Sequence, residues 1–183
     1  MAGRGIHIHE DDCGMRSLHP ISAWEQVRSD LDKAVQSSQE NRAPDGFGWT
    51  GIHIIRKPDS VYENLPLASL ATGLEQSFPR IRRFAATATA GFGGHDPLGV
   101  YEDDAWCFGL GEGCFIKLEP EDGLVRSIWF EARAGRAQIA KLREAMVIID
   151  HAAPSLVVDY WLDCAGAVSD ADFMRRYCDA LAG

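Results

Sequence analysis

A-W-C-F-G-L-G-E-G-C-F-I-K-L-E-P-E-D-G-L-V-R-S-I-W-F-E occupies residues 105–131. Its first half reads as one or two strands broken near the glycines at 109–113. The turn E-P-E-D-G then closes a hairpin with the strand at 125–131, because Asp-Gly tolerates the positive φ of a tight turn. Helix patterns flank this block. Downstream, residues 134–152 place Ile139, Leu142, Ala145, Met146 and Ile149 on one helical face. Pro154 ends that helix and a β-branched strand follows at 155–161. A capping box at Ser169–Asp172 opens a last helix with Phe173, Tyr177 and Leu181 inward. Upstream, residues 5–10 alternate as a strand, and a polar stretch runs to Pro20. Ser22 and Glu25 then form a capping box for a helix over 22–41, with Trp24, Val27, Leu31, Ala34 and Val35 on one face. Residues 41–51 read as a loop, 50–57 as a strand, 65–78 as a helix, 80–90 as a strand and 91–99 as a glycine-rich loop. The order is βαβαβ, a hairpin, then αβα. Hairpins intruding on an αβ alternation predict the α+β class: a mixed or largely antiparallel sheet of about five to seven strands, with helices mainly on one face. The echo of G-I-H-I at 5–8 and 51–54 is too short to indicate duplication.

The 183 residues suit one globular domain, 1–183, and 46% apolar against 25% charged residues suffices for a core without staples. No apolar run approaches the roughly 20 residues of a membrane span. The first 16 residues lack the apolar stretch of a signal peptide, so a cytoplasmic location is expected. Five cysteines without a C-x-x-C pair suit reduced thiols in a reducing compartment. With 18 basic and 27 acidic residues, the net charge of −9 disfavours nucleic acid and anionic membranes and favours a cationic partner.

Two acidic triplets stand out, Glu10-Asp11-Asp12 and Glu102-Asp103-Asp104. Consecutive carboxylates point in different directions and cannot all ligate one ion, and no lysine completes a nuclease pattern. They read instead as solvated loop charge or as an anionic contact surface that speeds encounter with a basic partner. The second triplet lies between a glycine-rich loop and a strand, so neutralising it is expected to leave the fold intact. Trp49 in its glycine loop and Trp161 beside Asp159 and Asp163 combine aromatic bulk with carboxylates, as protein-binding hot spots do. Metal chemistry has one candidate set. His7 and His9 project from the same side of a strand, and Glu10, His19 or His53 would supply a third ligand for a metal-dependent hydrolase. The spacing matches no zinc motif. There is also no G-x-S-x-G elbow, no phosphate-binding glycine pattern and no recognisable catalytic motif. No cofactor is therefore expected.

Three segments carry a resemblance: E-D-D-C-G-M-R-S-L-H-P at 10–20, N-R-A-P-D-G-F-G-W-T at 41–50, and V-V-D-Y-W-L-D with S-D-A-D-F-M-R-R-Y at 157–177. Together they resemble the small acidic immunity proteins encoded beside secreted bacterial toxins. The resemblance implies a cytoplasmic, non-enzymatic α+β protein that binds and neutralises a cognate, basic toxin domain. It carries no catalytic residues. The contact residues expected from the sequence are Glu10, Asp11, Asp12, Trp49, Glu102, Asp103, Asp104 and Trp161.

Overall fold

A computed structural model describes residues 5–43, 62–88, 96–133 and 135–183. The α+β class forms as expected. In chain order the strands are β1 (Ile6–His9), β2 (Arg16–Pro20), β3 (Arg80–Ile81), β4 (Phe84–Thr87), β5 (Val100–Glu102), β6 (Trp106–Gly111), β7 (Cys114–Glu121), β8 (Leu124–Ala132), β9 (Ser155–Asp159) and β10 (Cys164–Ala167). The helices are α1 (Trp24–Glu40), α2 (Leu67–Glu75), α3 (Arg136–Ala152) and α4 (Ala171–Leu181). Seven strands make an antiparallel sheet in the order β10-β9-β2-β8-β7-β6-β3. A second sheet has the order β1-β4-β5, with β1 parallel to β4.

The β7–β8 hairpin is the axis of the large sheet. Asp122 (φ +52°) and Gly123 (φ +77°) take the left-handed turn that the Asp-Gly pair favours. Side chains then alternate between the two faces. Cys114, Ile116 and Leu118 of β7, with Ile128 and Phe130 of β8, face a core shared with Leu70 and Leu74 of α2, Met174 and Tyr177 of α4, and the α3 stripe. That stripe is Ile139, Leu142, Ala145, Met146 and Ile149, all buried as the periodicity predicts. Phe115 and Trp129 point to the opposite face. There they meet Phe84 of β4 edge-on, with Trp129 5.6 Å from the Phe84 ring and 5.4 Å from the Phe115 ring. Beside the small sheet, Val27 of α1 and Ala23 just before it pack on Leu156 and Val158 of β9, with Ala165 and Ala167 of β10 against the same cluster. Three helices thus lie on one face, and α1 and the small sheet share the other.

Several local readings change. The segment 80–90 is not one strand: β3 ends in the large sheet and β4 begins in the small one, so residues 82–83 carry the chain between layers. The stretch before Pro20, read as polar, contains β2, an interior strand of the large sheet, and β10 follows β9 after a four-residue turn. The Ser22–Glu25 capping box does not form. A 3₁₀ turn at Ile21–Ala23 leads into α1, whose first residue has no side-chain cap. On α4 the cap is Asp170 rather than Ser169, its carboxylate accepting the amides of Asp172 and Phe173 at 3.0 Å. The strand expected at 50–57, most of the loop at 41–51 and the first part of the 91–99 loop lie outside the described residues. No helix among the described residues is long and apolar enough to cross a membrane.

Candidate functional site

The last residue of β9, Asp159, is fully buried and is the hub of one end of the large sheet. Its Oδ2 accepts Arg16 Nε at 2.9 Å and the Tyr177 hydroxyl at 2.9 Å. Its Oδ1 accepts the backbone amides of Trp161 at 2.9 Å and Leu162 at 3.1 Å. Arg16 continues to buried Glu131 at 2.8 Å. Each donor around the carboxylate is therefore matched, as a buried charge requires. Burial and the neighbouring Asp159 charge raise the Tyr177 pKa, which keeps its hydroxyl a donor.

This hub fixes the turn between β9 and β10. The Tyr160 amide donates to Met15 O at 3.0 Å, and Asp163 takes φ +49° to reverse the chain. Trp161 and Leu162 are held outward, 52% and 39% exposed. The Glu10–Asp12 turn precedes Met15 at the same end of the sheet, with Glu10 and Asp11 exposed. Asp12 differs from its neighbours: it is buried and receives Arg133 Nη2 at 2.5 Å, so its charge is already matched inside the protein. Of the sequence's contact candidates, Glu10 and Asp11 are exposed in the turn before β2 and Trp161 is exposed in the turn after β9. Leu162 and Asp163 complete that second turn. Their signal was present in W-L-D, but which of these residues faces out follows from the Asp159 turn.

The second triplet lies elsewhere and divides three ways. Glu102 accepts Lys117 Nζ at 2.9 Å, and Glu119 accepts it at 2.6 Å while also taking Trp129 Nε1 at 2.8 Å. Lys117 is only 1% exposed and stands 4.9 Å from the Phe84 ring centroid. Burial alone would lower its pKa, but the hydrogen bonds to Glu102 and Glu119 raise it above the ordinary value. Asp104 accepts Arg80 at 3.0 Å and also pairs with Arg82, whereas Asp103 reaches only Arg83 at 3.8 Å and is almost wholly exposed. The expectation that all three can be neutralised without harm therefore changes. Glu102→Gln is expected to cost about 1–2 kcal/mol by weakening a charged hydrogen bond to a buried lysine. Asp103→Asn should stay within about 0.5 kcal/mol. Urea unfolding of the two single variants measures the difference.

His7 and His9 sit on β1 as the alternation predicts. His7 Nε2 bonds Thr87 Oγ1 at 2.8 Å, and His9 Nδ1 accepts the Asp11 amide at 3.2 Å. His19 lies apart on β2, its Nε2 2.9 Å from Ser17 Oγ. Among the described residues no group of three His, Cys, Asp or Glu side chains is placed to hold a metal ion. Trp49 and His53 lie outside the described residues. Burial pushes the Cys107 and Cys114 thiols up to about 12, which keeps them from acting as thiolates near neutral pH.

His7, His9, Asp12 and Asp103 do converge on one feature, a groove of about 1190 Å³ between β1 and the β3 end of the large sheet. Arg80, Arg82, Arg83 and Arg133 line it too. The R-I-R-R run at 80–83 is its signal in the sequence, set within a chain of acidic balance. No family model, curated protein or solved structure matches this chain.

Proposed function

We propose that the protein is a non-enzymatic inhibitor, of the immunity-protein kind, that binds a cognate basic toxin domain in the cytoplasm. The supporting observation is the Trp161–Leu162 turn: an exposed aromatic and aliphatic pair held in place by Asp159. Such a turn presents apolar area whose ordering is already complete before binding, and that preorganisation favours affinity. Asp163 lies in that turn, and Glu10 and Asp11 are exposed in the turn that leads to β2. Their carboxylates carry the attraction for a cationic partner, acting on encounter rather than on residence.

The test uses the purified product of the adjacent gene as the partner. Wild-type protein is expected to bind it saturably and suppress its toxicity. Trp161→Ala should weaken the complex at least about 30-fold, chiefly through faster dissociation. The combined E10Q/D11N/D163N variant should slow association about tenfold at low salt, and the effect should fade as salt is raised. Absence of binding to that product, or a Trp161→Ala variant that binds as tightly as wild type, sinks this reading.

A further inference from the structure

The groove beside β1 has a feature that a smooth surface cleft lacks: one of its walls is the open edge of a strand. Residues Gly5 through His9 all line it. Within the small sheet, Ile6 N donates to Arg83 O at 2.9 Å, in a register that pairs Ile6 with Phe84 and Ile8 with Ala86. In a parallel ladder alternate residues turn their amides and carbonyls to the same neighbour. Ile6 and Ile8 therefore face β4, and the main-chain N–H and C=O groups of His7 and the N–H of His9 face the groove. Among the described residues no strand pairs with that edge.

The opposite wall is the β6–β7 hairpin at Gly109, Gly111 and Gly113, where glycine is required because a Cβ would meet Ile81, Gln138 and the Arg133 carbonyl. Charge then selects the occupant. Arg82, Arg83 and Arg133 are 63–69% exposed around the groove. Of the four carboxylates in the lining, Asp12 and Glu131 are buried and already bound to Arg133 and Arg16. Asp103 and Glu112 are the exposed ones, and Asp104 from outside the lining takes up Arg82. On a chain of net −9 the groove thus presents three exposed guanidiniums, each with a carboxylate partner: Arg82 with Asp104, Arg83 with Asp103 and Arg133 with Asp12.

We infer that the groove binds an extended acidic peptide segment, which adds as a strand to the open edge of β1 while its carboxylates meet Arg82, Arg83 and Arg133. Main-chain hydrogen bonds to His7 and His9 give the affinity, and the arginines choose acidic side chains. This site does not use the Trp161 turn, so its test stands apart from the inhibitor reading.

The probe is a labelled hexapeptide alternating valine and glutamate, compared with its valine–lysine counterpart by fluorescence polarisation on the full chain. The acidic peptide is expected to bind saturably and at least about tenfold more tightly than the basic one. His7→Pro removes the amide that faces the groove without removing a bond to β4, a substitution that strand edges tolerate. It should weaken binding at least about tenfold, while His7→Ala stays within about threefold. The R82Q/R83Q/R133Q variant should lose about tenfold at low salt. In wild type, saturating peptide should slow hydrogen exchange at the His7 and His9 amides, a readout that does not depend on any variant folding. No saturable binding up to about 1 mM, equal binding of the lysine peptide, or unprotected His7 and His9 amides in the saturated complex would overturn the inference.

Discussion

Replacing Asp159 with alanine is expected to destabilise the protein by about 3–5 kcal/mol, the cost of removing one partner from a buried charge pair. The carboxylate is fully buried and accepts from Arg16, Tyr177 and the amides of Trp161 and Leu162. Alanine leaves the Arg16 guanidinium with Glu131 alone and strands a buried tyrosine hydroxyl. Asp159→Asn keeps the volume and an acceptor oxygen for the turn, so it should be milder while still lowering stability through the lost charge. Urea denaturation at pH 7 checks both, and a loss below about 1 kcal/mol for Asp159→Ala would show that water or neighbouring groups replace the carboxylate. The same variant loosens the Trp161 turn. Any partner bound there should then dissociate faster, because the turn must be ordered on binding.

A second large effect is expected on acidification. His19 lies buried on β2, its ring bonded to Ser17 Oγ. Burial lowers its pKa to about 4 from the ordinary 6.5, and the Asp30 charge opposes this only in part. The unfolded chain therefore binds a proton at this site before the folded one does. Its contribution is fully present above pH 6.5 and is lost progressively as the pH falls toward 4. Across that window the loss amounts to about 3 kcal/mol, at 1.36 kcal/mol for each pKa unit. Unfolding free energies at pH 7 and pH 4 should thus differ more for wild type than for His19→Gln by about that amount. Equal pH dependence in the two proteins would assign acid sensitivity to other groups.

Local patterns were legible in the sequence wherever chemistry acts between near neighbours. The α3 stripe at 139–149, the Asp122-Gly123 turn and the β7–β8 hairpin follow from 3.6-residue spacing, period-two alternation and tolerance of positive φ. The hairpin in the middle of the chain was enough to reach the α+β class. The residues at 16–20 could not be read as an interior strand from their own composition. Arg16 and His19 look solvated until Glu131 of β8, Asp159 of β9 and Asp30 of α1 come beside them. In the same way Glu102, Asp103 and Asp104 are indistinguishable in sequence, yet one holds a buried lysine, one is exposed and one collects two arginines. Propensity and periodicity are local, and they set which segments become strands or helices. Whether a charge is matched or available depends on residues tens of positions away in the chain, so only the tertiary structure decided it. For the same reason the open edge of β1 appears only once β4 has taken the other side.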